Sequence, residues 1–101
     1  MDAVYRAISD PTRRRVLDLL AAGDHTVAEL NAPFPISQPA MSKHLRVLRR
    51  AGLVHERRQS RNRIYSLNAQ PLRSVAEWVE HYERFWSSRL ERLGSYLDRQ
   101  P

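Results

Sequence analysis

Two groups of residues in this 101-residue chain have the types and spacing to do chemistry, and both suit a polyanion. Gln38, Pro39, Ser42, Lys43 and Arg46 recur at steps that bring them to a common face if the segment is helical. These are side chains of the size and type that read base edges, Gln suiting adenine and Lys or Arg suiting guanine. Further on, Arg57, Arg58, Arg61 and Arg63 crowd around Asn62. Each guanidinium that neutralises a phosphate releases a condensed counterion, so such a cluster is suited to gripping nucleic acid. Catalytic chemistry is poorly served by comparison. Ser42 and His44 lie two positions apart and diverge on a helix, and no other nucleophile stands beside a base with its orienting group. Cysteine is absent, which excludes disulfides, thiolate metal sites and cysteine nucleophiles. Glu77 and His81 share a helix face at four-residue spacing. A closed zinc site needs about four ligands, however, and His25, His44 and His55 are scattered. No enzyme, metal or cofactor is expected.

The charge distribution supports the same partner. Residues 1–36 hold four arginines against five acids, residues 70–101 hold five against five, and residues 37–69 hold eight Lys or Arg against one acid. The middle third carries all of the net +6. A basic segment between two neutral ones is the electrostatic footprint of a nucleic-acid surface, although a basic run is also compatible with a solvated charged face.

These residues need elements to position them. Asp10-Pro11 reads as a helix start, with Val16, Leu17, Leu20 and Ala21 on its apolar stripe and Gly23 as a left-handed stop. Val4, Tyr5 and Ile8 suggest a short amphipathic turn upstream. Thr26 to Glu29 fits a capping box opening a helix that Pro33 and Pro35 keep short, anchored by Leu30. Ser37 caps the next helix, with Pro39 in its first turn, Met41, Leu45 and Leu48 facing inward and Gly52 as the stop. Leu53-Val54 and Ile64 to Leu67 read as two short strands joined by the arginine-rich segment 57–63. From Pro71 to about Asp98 the pattern is one long helix, on which Leu72, Val79, Trp86 and Leu93 recur every seven residues. Val75, Trp78, Tyr82 and Leu90 widen that stripe beyond what a small domain covers from one side. It is either folded onto the chain's own core or, more economically, shared with a second copy, with help from Tyr5 and Ile8.

The fold expected is therefore mainly α with a small β-hairpin. It is a winged helix-turn-helix in one domain, with the helix-turn-helix at about 26–51, the wing at about 53–67 and a long C-terminal dimerisation helix at about 71–98. At this point the chain also resembles the ArsR/SmtB-type transcriptional regulators. The resemblance is carried by five stretches in order: Ala7 to Arg14, Thr26 to Leu30, Ser37 to Leu45, Leu48 to Val54 and Arg63 to Leu67. It implies a homodimeric repressor of a near-palindromic operator, with the helix from Ser37 as recognition helix, the hairpin as wing, and the first and last helices at the dimer interface. The family's metal-sensing patterns are not met. Ala28, Glu29 and Leu30 stand where a cysteine pair would, and His81 is followed three positions on by Arg84. The Ala32-Pro33-Phe34-Pro35 turn resembles a subgroup without recognised metal ligands.

The DNA-contacting residues expected are thus Ser37, Gln38, Pro39, Ser42, Lys43, Arg46, Arg57, Arg58, Arg61, Asn62 and Arg63, with His44 either packed inward or touching phosphate. A second function class stays open, an architectural DNA binder or protein-interaction winged helix; it would not need base-length side chains facing out from residues 37–50. No more than four apolar residues run consecutively, at Leu19 to Ala22, so no membrane span and a cytoplasmic location are expected. No effector is legible, and regulation is expected through dimer concentration or an effector competing for the surface around Trp78 and Phe85.

Overall fold

The computed structural model describes residues 2–86. The order is α1 (Asp2–Ile8), α2 (Pro11–Ala22), β1 (His25–Thr26), α3 (Val27–Asn31), α4 (Gln38–Arg50), β2 (Val54–Gln59), β3 (Asn62–Leu67) and α5 (Leu72–Glu80), then a 3-10 turn at Glu83–Phe85. The strands form one antiparallel sheet in the order β1-β3-β2. This is the expected winged helix-turn-helix architecture.

Local chemistry explains where the elements begin and end. The Asp10 carboxylate accepts the Arg13 N–H at 3.0 Å and starts α2, with Pro11 in the first turn. Burial pushes the Asp10 carboxyl up, but the Arg13 N–H bond, the Arg13 guanidinium and His44 outweigh it and hold the group below its ordinary range. At α3 the capping box forms in both directions: Thr26 Oγ1 accepts the Glu29 N–H at 3.2 Å, and Glu29 Oε1 accepts the Thr26 N–H at 2.9 Å. Ser37 Oγ accepts the Ala40 N–H and starts α4.

α4 ends in a Schellman motif. Gly52 takes φ +78, its N–H donates to the Arg49 carbonyl at 2.9 Å, and the Leu53 N–H donates to the Leu48 carbonyl at 3.0 Å. Leu48 and Leu53, the two apolar ends of that motif, are both fully buried. The motif turns the chain directly from α4 into the wing. Asn68 fastens the far end of the wing to the same point, donating to the Gly52 carbonyl at 2.7 Å.

α1 has only two turns, and two arginines from α2 complete its C-terminal end. Arg13 donates through Nε to the Ala7 carbonyl at 2.7 Å and through Nη2 to the Arg6 carbonyl at 2.9 Å, while Arg14 Nη1 donates to the Ile8 carbonyl at 2.7 Å. Helix ends leave such carbonyls without intrahelical partners, so these bonds lock α1 to α2. Arg13→Ala is expected to destabilise the fold by about 2–3 kcal/mol, since charge-assisted bonds are stripped from a partly buried helix end. Thermal unfolding should register a loss on the order of 10 °C; a midpoint within a degree or two of wild type would contradict this role.

The core gathers Val4 and Ala7 of α1, Val16, Leu17 and Leu20 of α2, Leu30 of α3, and Met41, Leu45 and Leu48 of α4. Phe34, Leu53, Val54 and Tyr65 close it. Phe34 is the buried pivot of the Pro33–Pro35 turn, with the Arg15 guanidinium 4.6 Å above its ring.

Four local expectations differ from the structure. Ala21 is exposed rather than in the core. Gly23 ends α2 in an extended conformation, φ 160, rather than the left-handed one. β1 adds a third strand that the sequence did not announce, because a two-residue strand has no periodicity to read. The wing strands also run further into the arginine-rich segment, leaving only Ser60 and Arg61 as the turn, with Ser60 at φ 56. Both faces of that ribbon are polar, so no alternation marked the strands. Of the helix expected from Pro71 to Asp98, Leu72–Glu80 is α-helical and Glu83–Phe85 is 3-10. Positions 87–98 of that expectation lie outside the described residues.

Candidate nucleic-acid interface

α4 is held from below by Met41, Leu45 and Leu48, each 1% exposed or less. That anchoring fixes what its other face offers. Gln38, Pro39, Ser42, Lys43 and Arg46 are all exposed, as is the capping Ser37. Their spacing along a 13-residue helix gives a continuous polar surface with no carboxylate on it. An α-helix of this kind fits the major groove of B-DNA, and Gln, Lys and Arg are the residues that make bidentate or charged contacts to base edges there. His44 is not on that surface. It is half-buried, with Nδ1 3.3 Å from Arg13 Nη1 and 3.9 Å from Asp10 Oδ2. Of the two roles open to it, the geometry is that of the packed one, bracing α4 against the start of α2.

The wing projects beyond the sheet. Arg57, Arg58, Arg61, Asn62 and Arg63 are exposed, and Arg58 pairs directly opposite Arg63 in the β2–β3 register. Like charges facing each other across a ladder are destabilising, so the wing carries a repulsion that a polyanion would relieve. The four arginines differ in their surroundings. Arg57 Nη1 donates to Asp24 Oδ2 at 2.9 Å, and Arg63 Nε lies 3.5 Å from Glu56 Oε1. Arg58 and Arg61 have no ion pair among the described residues.

Three residues that sequence reasoning did not single out join the site: Arg49, Glu56 and Tyr65. Arg49, in the last turn of α4, donates to Glu56 on β2 at 2.6 Å, and the buried Tyr65 hydroxyl donates to the same carboxylate at 3.2 Å. Burial, the Glu56 charge and the bond to Glu56 all push the Tyr65 hydroxyl above its ordinary pKa, keeping it a donor. The signal was available in principle: Glu56 is the single acid among residues 37–69.

The residues expected at a dimer interface form a separate aromatic group. Tyr5 packs edge-on against Trp78 at 5.8 Å between ring centroids, Trp78 against Tyr82 at 5.5 Å, and Tyr82 is followed by Phe85 at 6.4 Å. Trp78, Val79, Tyr82, Phe85 and Trp86 keep between 37% and 56% of their surface exposed. Ile8 and Val75 are partly buried against the core. Leu90 and Leu93 lie outside the described residues.

The described residues assemble no metal centre. Cysteine is absent, and among the described residues no three His, Asp or Glu side chains come together in a way that could hold an ion. His81 Nδ1 lies 3.2 Å from the Trp78 carbonyl of its own helix. Nor is any helix among the described residues long and apolar enough to cross a membrane.

A polar-faced helix seated on a helix-turn-helix core, with a cationic hairpin beside it, defines a winged helix-turn-helix DNA-binding domain. Comparison with known proteins agrees. The family profile described as "Helix-turn-helix domain" matches residues 8–57. The transcriptional repressor SdpR of Bacillus subtilis is 40% identical over 82 residues, covering 81% of this chain and 91% of that protein. The HTH-type transcriptional regulator Rv2034 of Mycobacterium tuberculosis is 35% identical over 97 residues, covering 96% and 88%. Among solved structures, the ArsR family transcriptional regulator RHA00566 superposes with a TM-score of 0.76 at 32% identity, covering 85% of this chain and 94% of that one. The chain belongs to the ArsR/SmtB-type family of transcriptional regulators, and is a sequence-specific DNA-binding regulator rather than an enzyme.

Proposed function

We propose that the protein is a cytoplasmic, homodimeric repressor that binds a near-palindromic operator, reading bases with Gln38, Ser42, Lys43 and Arg46. Ser37, Pro39 and Asn62 flank the contact, and the wing grips the backbone chiefly through Arg58 and Arg61. The observation that carries this reading is the acid-free polar face of α4 beside a wing whose like charges oppose one another. The aromatic ladder from Tyr5 to Phe85 supports the dimer, and the similarity to the transcriptional repressor SdpR supports repression. A gel shift comparing the promoter of its own gene with random duplex tests the proposal. Operator affinity about a thousandfold or more above random DNA is expected at physiological salt; equal affinity would reject it.

The wing should act mainly through its unpaired cations. Arg58→Ala and Arg61→Ala are each expected to flatten the plot of log K against log salt by about one unit, as a lost phosphate contact requires. Arg57→Ala should do less, because Asp24 already neutralises that guanidinium. Titrations on random duplex from low to moderate salt check this, and an unchanged slope in the Arg58/Arg61 double variant would remove the wing from phosphate binding.

DNA affinity should be the same with a chelator, with added zinc, nickel or copper, and with arsenite. Soft ions need thiolates and a closed zinc site needs about four ligands. Calorimetry revealing a submicromolar zinc site, abolished by His81→Ala and coupled to release of DNA, would contradict this.

A further inference from the structure

Glu56 occupies an unusual place for an acid. It stands alone in a segment with eight Lys or Arg residues, on the wing strand nearest the recognition helix, and its side chain keeps only 18% of its surface exposed. Its two oxygens gather donors from two elements: Arg49 of α4 at 2.6 Å and Tyr65 of β3 at 3.2 Å on Oε2, and Arg63 of β3 at 3.5 Å on Oε1. The cluster lines a cleft of about 120 Å³ whose α4 wall includes Ser42 and Arg46. The carboxylate therefore sits between the base-reading face and the wing.

An exposed ion pair at such a place would contribute little. This one differs because the acid is mostly covered, is shared by two guanidinium groups, and receives a hydroxyl whose own burial keeps it protonated. An acid facing a DNA surface also opposes binding by its charge. Its consequence must be sought in how the cations around it behave.

We propose that Glu56 is a positioning residue that determines specificity, holding Arg49 and Arg63 back from sequence-independent phosphate contact and fixing the wing against the recognition helix. The inference rests on the reading of α4 and the wing as the DNA-contacting surface. With Glu56 in place, two of the cations nearest the base-reading residues are engaged within the protein, so affinity for random DNA is held down. The contacts of the outward α4 face do not depend on those charges. The ratio of operator to random affinity is accordingly larger than it would be with those two cations free.

Glu56→Gln keeps the size of the side chain and removes the charge. On random duplex it is expected to bind several-fold more tightly than wild type, with a salt slope steeper by one to two units as the two guanidiniums reach phosphates. Operator affinity should rise less, so the operator-to-random ratio falls several-fold. A loosened fold alone would not steepen a salt slope. A slope equal to or shallower than wild type overturns the proposal. An independent variant leaves Glu56 intact: Arg49→Gln with Arg63→Gln should change the random-duplex slope by less than one unit, because those charges are already neutralised. A loss of about two units in that double variant means that both cations contact phosphate in the wild type, and it too overturns the proposal. If wild type shows no salt-dependent binding at all, the DNA-binding surface itself is wrong and the inference falls with it; a normal wild-type slope with unresponsive variants condemns the role of Glu56 alone.

Discussion

Replacing Trp78 and Tyr82 together with Asp is expected to give a folded monomer whose operator affinity is lower by at least a hundredfold. Both side chains lie in the ladder that starts at Tyr5, and about half the surface of each is open. Five large apolar residues left exposed between positions 78 and 86 form the kind of patch that monomeric proteins rarely tolerate. In a two-fold dimer the same patch meets itself, so each substitution places a carboxylate in the interface twice, unpaired and desolvated. The fold should survive because no residue of α5 is buried, whereas the helix-turn-helix core lies among α1 to α4 and the sheet. The loss of affinity follows from linkage: one half-site bound raises the effective concentration at the second, an advantage of roughly 10²–10⁴ that a monomer forgoes. Light scattering and circular dichroism on both proteins decide the matter. A wild type that is monomeric at micromolar concentration, or a double variant that remains dimeric, would contradict the assignment.

The second large effect concerns discrimination rather than affinity at large. Gln38→Ala with Lys43→Ala is expected to lower operator affinity by roughly 2–6 kcal/mol, at 1–3 kcal/mol for each lost base contact. Affinity for random duplex should fall only by the one phosphate-range charge removed with Lys43. Neither residue supports the core: both are exposed, and α4 keeps its Ser37 cap and its buried Met41, Leu45 and Leu48. Equal losses on operator and random DNA would mean that these side chains contact the backbone and that another element reads the sequence.

How much of this was legible depends on which physical signal each part leaves in the chain. α2, α3 and α4 announce themselves through Asp10-Pro11, Thr26 to Glu29 and Ser37 with Pro39, because capping is local chemistry between residues three apart. The polar face of α4 was readable for the same reason, its three- and four-residue spacing being fixed by helix geometry. The Gly52 stop was readable too, since only a left-handed residue completes that motif. Contacts between segments far apart in sequence left no such trace. The bonds from Arg13 and Arg14 to the carbonyls of α1, the turning of His44 toward Arg13, and the pairing of His25 with Tyr65 depend on how elements dock. Arg57 and Arg63 look like Arg58 and Arg61 in sequence; Asp24, 33 positions from Arg57, and Glu56 across the hairpin distinguish them only once folded.

Selection of sites from a randomised duplex library by the wild-type protein tests the central claim most directly. If the outward face of α4 reads bases in a dimer, the recovered sequences should converge on a two-fold symmetric consensus, its half-sites separated by about one helical turn or a multiple of it. With Gln38→Ala the preference should relax at one position in each half-site while the spacing stays the same. A wild-type pool with no consensus, or a consensus unchanged by substituting Gln38, Lys43 and Arg46, would contradict the account.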